Sequence, residues 1–214
     1  MKIKSKIKAV QKPKILIFDF DGVLADTKKI WISCIMKVLK EEKFYCPKCV
    51  TDIVIPFGRK MQDVLKMLDV PKHEIENIRR KVHKIVLKKK IKMQDIAPLK
   101  EIKIRKIILS NSPGFVVRHV LGGKMKIFDR LYGSDDFSDK ASFIKSLIKK
   151  HKFGKKDVWY VGDIGQDVRV ARKAGCASVI LAGRFAWNPA KEVLKEKPDI
   201  IIRNFYDLKE VINS

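Results

Sequence analysis

ILIFDFDGVLADT, residues 15–27, is a short apolar run that ends in two carboxylates and a glycine. The unbroken apolar residues before Asp19 are typical of a strand that is covered on both faces. Side chains alternate along a strand, so Asp19 and Asp21 project to one side while Phe20 points to the other. We therefore expect two acids that face one point at the mouth of a core.

The pair Asp19 and Asp21 poses an electrostatic problem. Two close carboxylates at the edge of a core cannot both stay ionised unless one takes a proton or a cation lies beside them. Hard oxygen ligands, few in number and next to a tight glycine turn, suit a Mg²⁺ ion that also holds a phosphate. An isolated Asp-x-Asp is more often an ordinary turn, so other motifs must support this hypothesis.

The remainder of the chain predicts an α/β fold. Beyond Pro98, apolar strands alternate with helices of about 10–15 residues, a pattern that builds a parallel sheet covered on both sides. The predicted strands cover residues 103–109, 127–132, 158–163, 178–182 and 198–202, and the predicted helices cover residues 116–121, 140–150, 166–174 and 206–212.

The stretch between the first strand and Pro98 does not follow this alternation. Apolar residues recur there at helical spacing, which predicts helices over 30–39 and 61–68 and a long Lys-rich helix from Pro71 to about Met93. We interpret this stretch as an insertion. The predicted units are a basic N-terminal extension over 1–12, a core domain over 13–27 and 95–214, and a helical insertion over 28–94.

Three predicted strands end in polar side chains. Asp19 and Asp21 follow the first strand, Ser110 follows the second, and Asp163 ends the strand that begins at Val158. The carboxyl ends of parallel strands meet at one edge of a sheet, where ligands bind in folds of this kind. Each residue alone fits a cap or a turn, but together they predict a functional site.

The form D-x-D-G-V-L-x-D-T of residues 19–27 resembles the first motif of the haloacid dehalogenase-like hydrolases, most closely the phosphatases of the phosphoglycolate-phosphatase type. Ser110 resembles the family's second motif and Lys140 its third, and GDIGQD at 162–167 resembles the fourth. The resemblance implies a Rossmann-like parallel core with an inserted helical cap of the C1 type, which corresponds to residues 28–94.

The resemblance also implies the chemistry. Asp19 is expected to attack phosphorus and form an aspartyl-phosphate, a known role for a carboxylate nucleophile. Asp21 is expected to protonate the leaving oxygen and then activate water. Ser110 is expected to bind a phosphoryl oxygen, with help from the amide of Asn111.

A lysine is expected to neutralise the charge that gathers on the nucleophile and the phosphoryl group. We assign Lys140, at the start of a predicted helix, and keep Lys145 as the alternative in a chain rich in lysine. For the stretch after Ser110 a purely structural interpretation is also open. A side chain that caps the helix starting at Pro113 would be Ser112 rather than Ser110.

The expected cofactor is Mg²⁺. Its implied ligands are the carboxylates of Asp19 and Asp163 and the main-chain carbonyl of Asp21. Asp167 is expected to act one step further out, where it either holds metal-bound waters or orients Lys140. Without the family, Asp163 and Asp167 are still acids at a strand tip and in the first turn of a helix, where the helix dipole favours negative charge.

The cap of such enzymes closes over the site, excludes water and recognises the substrate. Phe57-Gly58-Arg59 occupies the region where relatives carry a specificity loop. Arg59 is therefore a candidate to bind an anionic or hydroxyl-rich leaving group with two parallel hydrogen bonds. A plain surface arginine is an equally good interpretation of this residue.

The composition is that of a globular protein with a large excess of positive charge, a formal +24 over 214 residues. Such a charge favours anionic partners, but the lysines are spread over almost every amphipathic segment, as on a solvated surface. No apolar run approaches the roughly 18 residues of a membrane span. We expect a cytoplasmic monomer or homodimer with a small phosphorylated substrate and no membrane partner. Nucleic acid is disfavoured as a partner but is kept as an alternative.

The four cysteines do not predict a disulfide framework. Cys46 and Cys49 have the spacing of half a zinc site, but the sequence offers no second pair nearby, so paired or reduced thiols are the better interpretation. Cys34 and Cys176 are interpreted as small buried residues.

The function predicted first is a Mg²⁺-dependent phosphatase that hydrolyses a small phosphomonoester, of the phosphoglycolate or sugar-phosphate type, through an aspartyl-phosphate. A phosphomutase of the same family would share every catalytic residue and differ in cap contacts. The +24 charge keeps a nucleic-acid-binding protein or a phosphatase of polynucleotide ends as another alternative. A binding protein that has lost catalysis is disfavoured because Asp19, Asp21, Ser110 and Asp163 are all present.

Overall fold

The computed structural model describes residues 11–44 and 58–214. Its strands are β1 (Ile15–Phe18), β2 (Arg105–Leu109), β3 (Arg130–Tyr132), β4 (Val158–Gly162), β5 (Ala177–Leu181) and β6 (Ile200–Ile202). They form a single parallel sheet in the order β3-β2-β1-β4-β5-β6. The predicted α/β fold with a parallel core sheet is confirmed, and β1 lies in its middle between β2 and β4.

Helices connect these strands and also form the insertion. In the described residues they are α1 (Lys28–Glu41), α2 (Met61–Met67), α3 (Ile75–Val86), α4 (Ala97–Glu101), α5 (Gly114–Leu121), α6 (Lys140–His151), α7 (Gly165–Ala174), α8 (Ala190–Leu194) and α9 (Phe205–Asn213). Asp139 caps α6, because its carboxylate accepts a hydrogen bond from the backbone N–H of Ser142 at 2.8 Å. Among these helices none is both long and apolar enough to cross a membrane.

The middle strand β1 is buried on both faces. Leu16 and Phe18 pack into one hydrophobic cluster with residues of α5 and α9, whereas Ile15 and Ile17 pack into another with residues of α6 and α7. Full burial of a side chain of this size contributes about 1.5–3 kcal/mol. The strand is thus held firmly from both sides, and so is the position of the residues that follow it.

The helices of the insertion have a hydrophobic cluster of their own. Trp31 and Ile35 of α1 pack there with Leu65 of α2 and with Ile78 and Val82 of α3. One residue of α5 joins the same cluster and so connects the insertion to the sheet domain. The interpretation of residues 28–94 as a cap stays a prediction, and this separate cluster is consistent with it.

The predicted long helix from Pro71 to about Met93 is wrong at its end. The helix stops at Val86, and the chain then returns in extended form beside the first motif, where Met93 pairs with Ala25. The backbone N–H of Asp26 donates to the carbonyl of Lys92 at 2.9 Å. These main-chain bonds tie the exit of the insertion to its entrance.

Other differences from the sequence predictions are smaller. The predicted strand over 127–132 is shorter, because a 3₁₀ turn (Gly122–Ile127) precedes β3. Helix α8 was not predicted. Cys34 and Cys176 are buried, as expected. Cys46 and Cys49, and all but the last two residues of the basic extension, lie outside the described residues.

Candidate active site

The site lies at the carboxyl ends of the middle strands. Phe18, the last residue of β1, pairs with Ile108 of β2 and with Val161 of β4. The residues that follow these three strands are Asp19, Ser110 and Asp163, all of them buried. Parallel pairing in register therefore brings polar side chains from distant parts of the sequence to one edge of the sheet.

Asp19 is the central acid. Its backbone N–H donates to the carbonyl of Val161 at 2.8 Å, which continues the ladder between β1 and β4. One carboxylate oxygen accepts from the backbone N–H of Phe20 at 2.7 Å, and the other accepts from Nζ of Lys140 at 2.7 Å. Burial raises the pKa of Asp19 to about 7 even though Lys140 opposes the shift.

Lys140 belongs to a chain of buried hydrogen bonds. Besides Asp19, its ammonium donates to the hydroxyl of Tyr160 at 2.9 Å, and that hydroxyl donates to Asp167 at 3.0 Å. Burial disfavours the charged amine, but attraction by Asp19 and Asp167 outweighs it, so the pKa of Lys140 is raised. Lys145, the alternative considered from the sequence, is exposed on the same helix.

Asp163 and Asp167 complete an acidic cluster with Asp19. One carboxylate oxygen from each of the three lies within 4.8 Å of the others. Asp163 accepts from the backbone N–H of Trp187 at 2.5 Å, and Asp167 accepts from the backbone N–H groups of Asp163 and Ile164 at 3.0 and 3.1 Å. Burial, reinforced by Asp167, raises the pKa of Asp163 well above its ordinary value.

This cluster fits a divalent cation. Three buried carboxylates converge on one point, and Lys140 is the buried cation that the described residues place in contact with them. The raised pKa values of Asp19 and Asp163 mean that these carboxylates would take up protons in the absence of further positive charge. Small, hard carboxylate oxygens are the donors that Mg²⁺ prefers. The side chain of Asp21 is not part of this group, and the use of its main-chain carbonyl as a ligand stays a prediction.

The carboxylate of Asp21 lies instead among hydroxyl and indole groups. Its Oδ1 accepts from the hydroxyl of Thr27 at 2.7 Å and from Nε1 of Trp31 at 2.8 Å. Its Oδ2 accepts from the hydroxyls of Ser112 at 2.7 Å and Ser110 at 3.3 Å. The interpretation of Ser112 as a helix cap is wrong: α5 has Pro113 before its first residue and no side-chain cap.

A tight turn at Gly22 lies directly against the carboxylate of Asp163. Gly22 has φ +76°, a left-handed conformation that side chains rarely adopt. A Cβ atom at this position would collide with the carboxylate of Asp163 and would lie 2.6 Å from the ring of Trp187. Gly22 therefore allows two functional loops to approach each other.

A cleft opens above these acids, with about 640 Å³ of empty space that is partly open to solvent. Asn111 lines it from the sheet domain, and its amide donates to the carbonyl of Gly58. Arg59 is exposed and lines it from the insertion. The two residues are thus at the wall of the cleft rather than in the hydrogen-bonded network around Asp19.

Besides Ser112, four residues of the site have no predicted role in the sequence. Tyr160 lies in an apolar strand, and Trp31 lies on the apolar face of a helix. Thr27 belongs to the first motif without an assigned role, and Trp187 lies in a stretch with no predicted element. Only Thr27 carried a local signal, its fixed place after Asp21 in the motif.

Comparisons with known proteins find relatives by both sequence and fold. A family model described as haloacid dehalogenase-like hydrolase matches residues 16–181. A phosphoglycolate phosphatase of Vibrio parahaemolyticus is 28% identical over 110 residues, which are 49% of this chain and 47% of that protein. The chain thus spans about half the length of the curated relatives it matches.

Solved structures share the fold over almost the whole chain. A protein from Haemophilus somnus whose structure is titled "a predicted phosphoglycolate phosphatase" superposes with a TM-score of 0.76 at 20% identity, covering 93% of this chain and 97% of that one. A protein described as a β-phosphoglucomutase from Bacteroides vulgatus superposes with a TM-score of 0.74 at 17% identity, covering 94% and 89%.

Proposed function

Because the chain belongs to the haloacid dehalogenase-like hydrolase family, we propose that it is a Mg²⁺-dependent phosphatase of small phosphomonoesters that works through an aspartyl-phosphate. The observation that carries this proposal is the convergence of Asp19, Lys140, Asp163 and Asp167 in one buried cluster, with Asp21 beside it. The two phosphate classes implied by the sequence resemblance, phosphoglycolate and sugar phosphates, are the first substrates to test.

In the first step Asp19 attacks phosphorus. A bond forms between a carboxylate oxygen of Asp19 and phosphorus while the bond from phosphorus to the leaving oxygen breaks. Lys140 stabilises the charge that builds up on the phosphoryl group, since its ammonium already lies 2.7 Å from Asp19. When bound, Mg²⁺ would be held by Asp19, Asp163 and the carbonyl of Asp21, and it would supply further positive charge at the phosphoryl oxygens.

Asp21 supplies the proton for the leaving oxygen. The indole N–H of Trp31 can only donate, so it keeps Oδ1 of Asp21 as an acceptor. The partners of Oδ2 are the hydroxyls of Ser110 and Ser112, which can accept as well as donate. We therefore assign the transferable proton to Oδ2.

In the second step water releases the product. The carboxylate of Asp21, now deprotonated, takes a proton from a water molecule that attacks phosphorus. The bond between Asp19 and phosphorus breaks, inorganic phosphate leaves, and both carboxyl groups return to their starting states. We assign Ser110 and Asn111 to the phosphoryl oxygens, Asp167 to the orientation of Lys140, and Arg59 to an anionic part of the leaving group.

A phosphate-release screen tests this function. It covers phosphoglycolate, sugar phosphates, nucleotides and amino-acid phosphates, with Mg²⁺ and with EDTA. We expect release with Mg²⁺ and its loss both with EDTA and in Asp19→Asn. Asp69→Asn is the matched control, since Asp69 is exposed in a turn at φ +55° that asparagine also tolerates. Full turnover by Asp19→Asn would refute the proposal.

The same screen separates the alternatives. In a phosphomutase, the phosphoryl group would appear on a second sugar hydroxyl rather than in water. A polynucleotide phosphatase would prefer nucleic-acid ends as substrates. It would also bind RNA or DNA with an affinity that falls steeply as the salt concentration rises.

A further inference from the structure

The cleft above the acidic cluster has two chemically distinct parts. Its floor carries the polar groups already assigned to the phosphoryl group. Its walls are apolar, with contributions from both the insertion and the sheet domain, namely Trp31, Ile35, Met61, Val64, Ile164 and Trp187. The part of the substrate that leaves with the alcohol oxygen must lie between these walls.

The two parts are joined by the tryptophans. Nε1 of Trp31 donates to Asp21 on the floor while the residue also lines the wall. The backbone N–H of Trp187 donates to Asp163 while this residue also lines the wall. An apolar group attached to the bound phosphoryl group would therefore meet these side chains directly.

The described walls offer few polar groups to a leaving group. The indole N–H of Trp31 is used by Asp21, and the carbonyl of Gly58 accepts from Asn111. Arg59 is the charged side chain that the insertion contributes to the cleft in its described part. A sugar enclosed here would give up water at several hydroxyls with few partners in exchange, whereas an apolar group would lose nothing by leaving water.

We propose that the cleft selects phosphomonoesters whose alcohol part carries an aromatic or branched aliphatic group. Arg59, at the edge of the cleft, would bind an anionic group at the far end of such a substrate. This inference rests on the proposed phosphatase function and narrows its substrate class away from phosphoglycolate and sugar phosphates.

A matched pair of esters tests the selectivity. The leaving group is a primary alcohol in both benzyl phosphate and glycerol 1-phosphate. Only the benzyl group is apolar. We expect kcat/KM for benzyl phosphate to be at least about tenfold higher, as is usual for burial of an apolar group in a fitting pocket. Equal or better turnover of glycerol phosphate or phosphoglycolate would overturn the inference while leaving the phosphatase function intact.

A substitution in the wall tests whether these residues cause the selectivity. Met61→Gln keeps the length of the side chain and removes its apolar character. We expect KM to rise about tenfold for benzyl phosphate and by a smaller factor for glycerol phosphate. Met67→Gln is the control, because Met67 is on the same helix but 48% exposed and outside the cleft. Equal effects of the two variants would contradict the proposal.

Binding gives a readout that does not depend on turnover. Two of the three tryptophans line the cleft and the third, Trp159, is fully buried in the core. We expect benzylphosphonate, whose carbon–phosphorus bond resists hydrolysis, to change the tryptophan fluorescence at lower concentration than 2-hydroxyethylphosphonate. Equal affinity for the two phosphonates would overturn the inference.

Acetyl phosphate separates failure of this inference from failure of the proposed function. It is a reactive phosphoryl donor, and its acetyl group is too small to reach the apolar walls. Hydrolysis of acetyl phosphate without preference for the benzyl ester would refute the apolar substrate class alone. If neither acetyl phosphate nor any ester released phosphate with Mg²⁺, the phosphatase proposal and this inference would both fall.

Discussion

Nζ of Lys140 lies 2.7 Å from Oδ2 of Asp19, although 121 positions separate the two residues. Both side chains are buried, so neither charge is compensated by water. The lysine is the first residue of α6, and its position is fixed by the cap at Asp139 and by Tyr160 on β4. The pair places a positive charge beside the proposed nucleophile before any substrate binds.

Removal of this charge should affect both catalysis and stability. We expect Lys140→Met to lower kcat by a factor of about 10²–10³, because a preorganised charge at the phosphoryl group is lost. Loss of one partner of a buried pair should also cost about 3–5 kcal/mol in the free energy of unfolding. The measurements are steady-state kinetics and urea unfolding.

The control for this variant is Lys145→Met, since Lys145 is exposed on the same helix. It should leave both quantities within error of the wild type. The double variant Lys140→Met/Asp19→Asn should regain part of the lost stability, because the unpaired carboxylate is gone. No recovery in the double variant would show that the two residues are not energetically coupled.

The turn at Gly22 gives a second prediction. Gly22→Ala and Gly175→Ala both place a side chain at positive φ, +76° and +78°, with a similar strain of about 1 kcal/mol. Only at Gly22 does the new Cβ collide with Asp163; at Gly175 it meets open space. We expect Gly22→Ala to weaken Mg²⁺-dependent thermal stabilisation and Gly175→Ala to preserve it. Similar Mg²⁺ responses in the two variants would contradict a close approach at Gly22.

Lys60 gives a third prediction, on the contact between the insertion and the loop before Lys140. Its Nζ donates to the backbone carbonyls of Ser134 and Phe137 and lies 4.7 Å from the centre of the Phe137 ring. We expect Lys60→Met to lower kcat/KM about tenfold, because this loop leads into α6 and displacement of positioning residues is costly.

Lys66→Met is the matched control, since Lys66 is exposed on α2, the helix that Lys60 directly precedes. It should leave kcat/KM unchanged. In limited proteolysis, Lys60→Met should also be cut faster than the control within the insertion. Equal cleavage rates and equal kcat/KM in the two variants would rule out a role for the Lys60 contacts.

The fourth prediction is that His83 makes the stability of the fold depend on pH. Burial, reinforced by nearby Arg79 and opposed by Glu76 and Asp135, lowers its pKa from 6.5 to about 4. Between these values the unfolded chain binds more protons than the folded protein, so the free energy of unfolding falls as pH falls from about 6.5 towards 4. We expect His83 to contribute a loss of about 1 kcal/mol between pH 6.5 and 5, after allowance for solvent screening.

Urea unfolding of His83→Leu at these two pH values measures the contribution. The variant should show a smaller loss on acidification than the wild type. His73→Leu, at an exposed histidine, should behave like the wild type. An unchanged loss in His83→Leu would mean that another group causes the acid sensitivity.

The parallel sheet and the position of the acids at its edge could be predicted because local sequence patterns encode them. One apolar strand is followed by Asp19 and Asp21, and another is followed by Asp163. These patterns predict a parallel sheet and the edge of it at which the acids lie. The end of α3 was missed because no Gly or Pro occurs between Pro71 and Pro98, while the lysines at 88–90 continue a helix-like composition. Helix α8 has five residues, too few for a periodic signal.

The partners of the acids could not be predicted for a different reason. Ser112 precedes Pro113, a pattern typical of a helix cap, and only tertiary structure brings its hydroxyl to Asp21, 91 positions away. Tyr160 lies in a strand of apolar residues, where a tyrosine has the same pattern whether its hydroxyl contacts Lys140 or not. Such contacts depend on the packing of the whole sheet rather than on local sequence.

The central claim is that Asp19 becomes phosphorylated during turnover. Borohydride, added to the enzyme during steady turnover with Mg²⁺, reduces an aspartyl-phosphate to homoserine, which peptide mass spectrometry can locate. We predict homoserine at position 19 only when substrate and Mg²⁺ are both present. An unmodified Asp19 during full turnover, or homoserine at another position, would contradict the account.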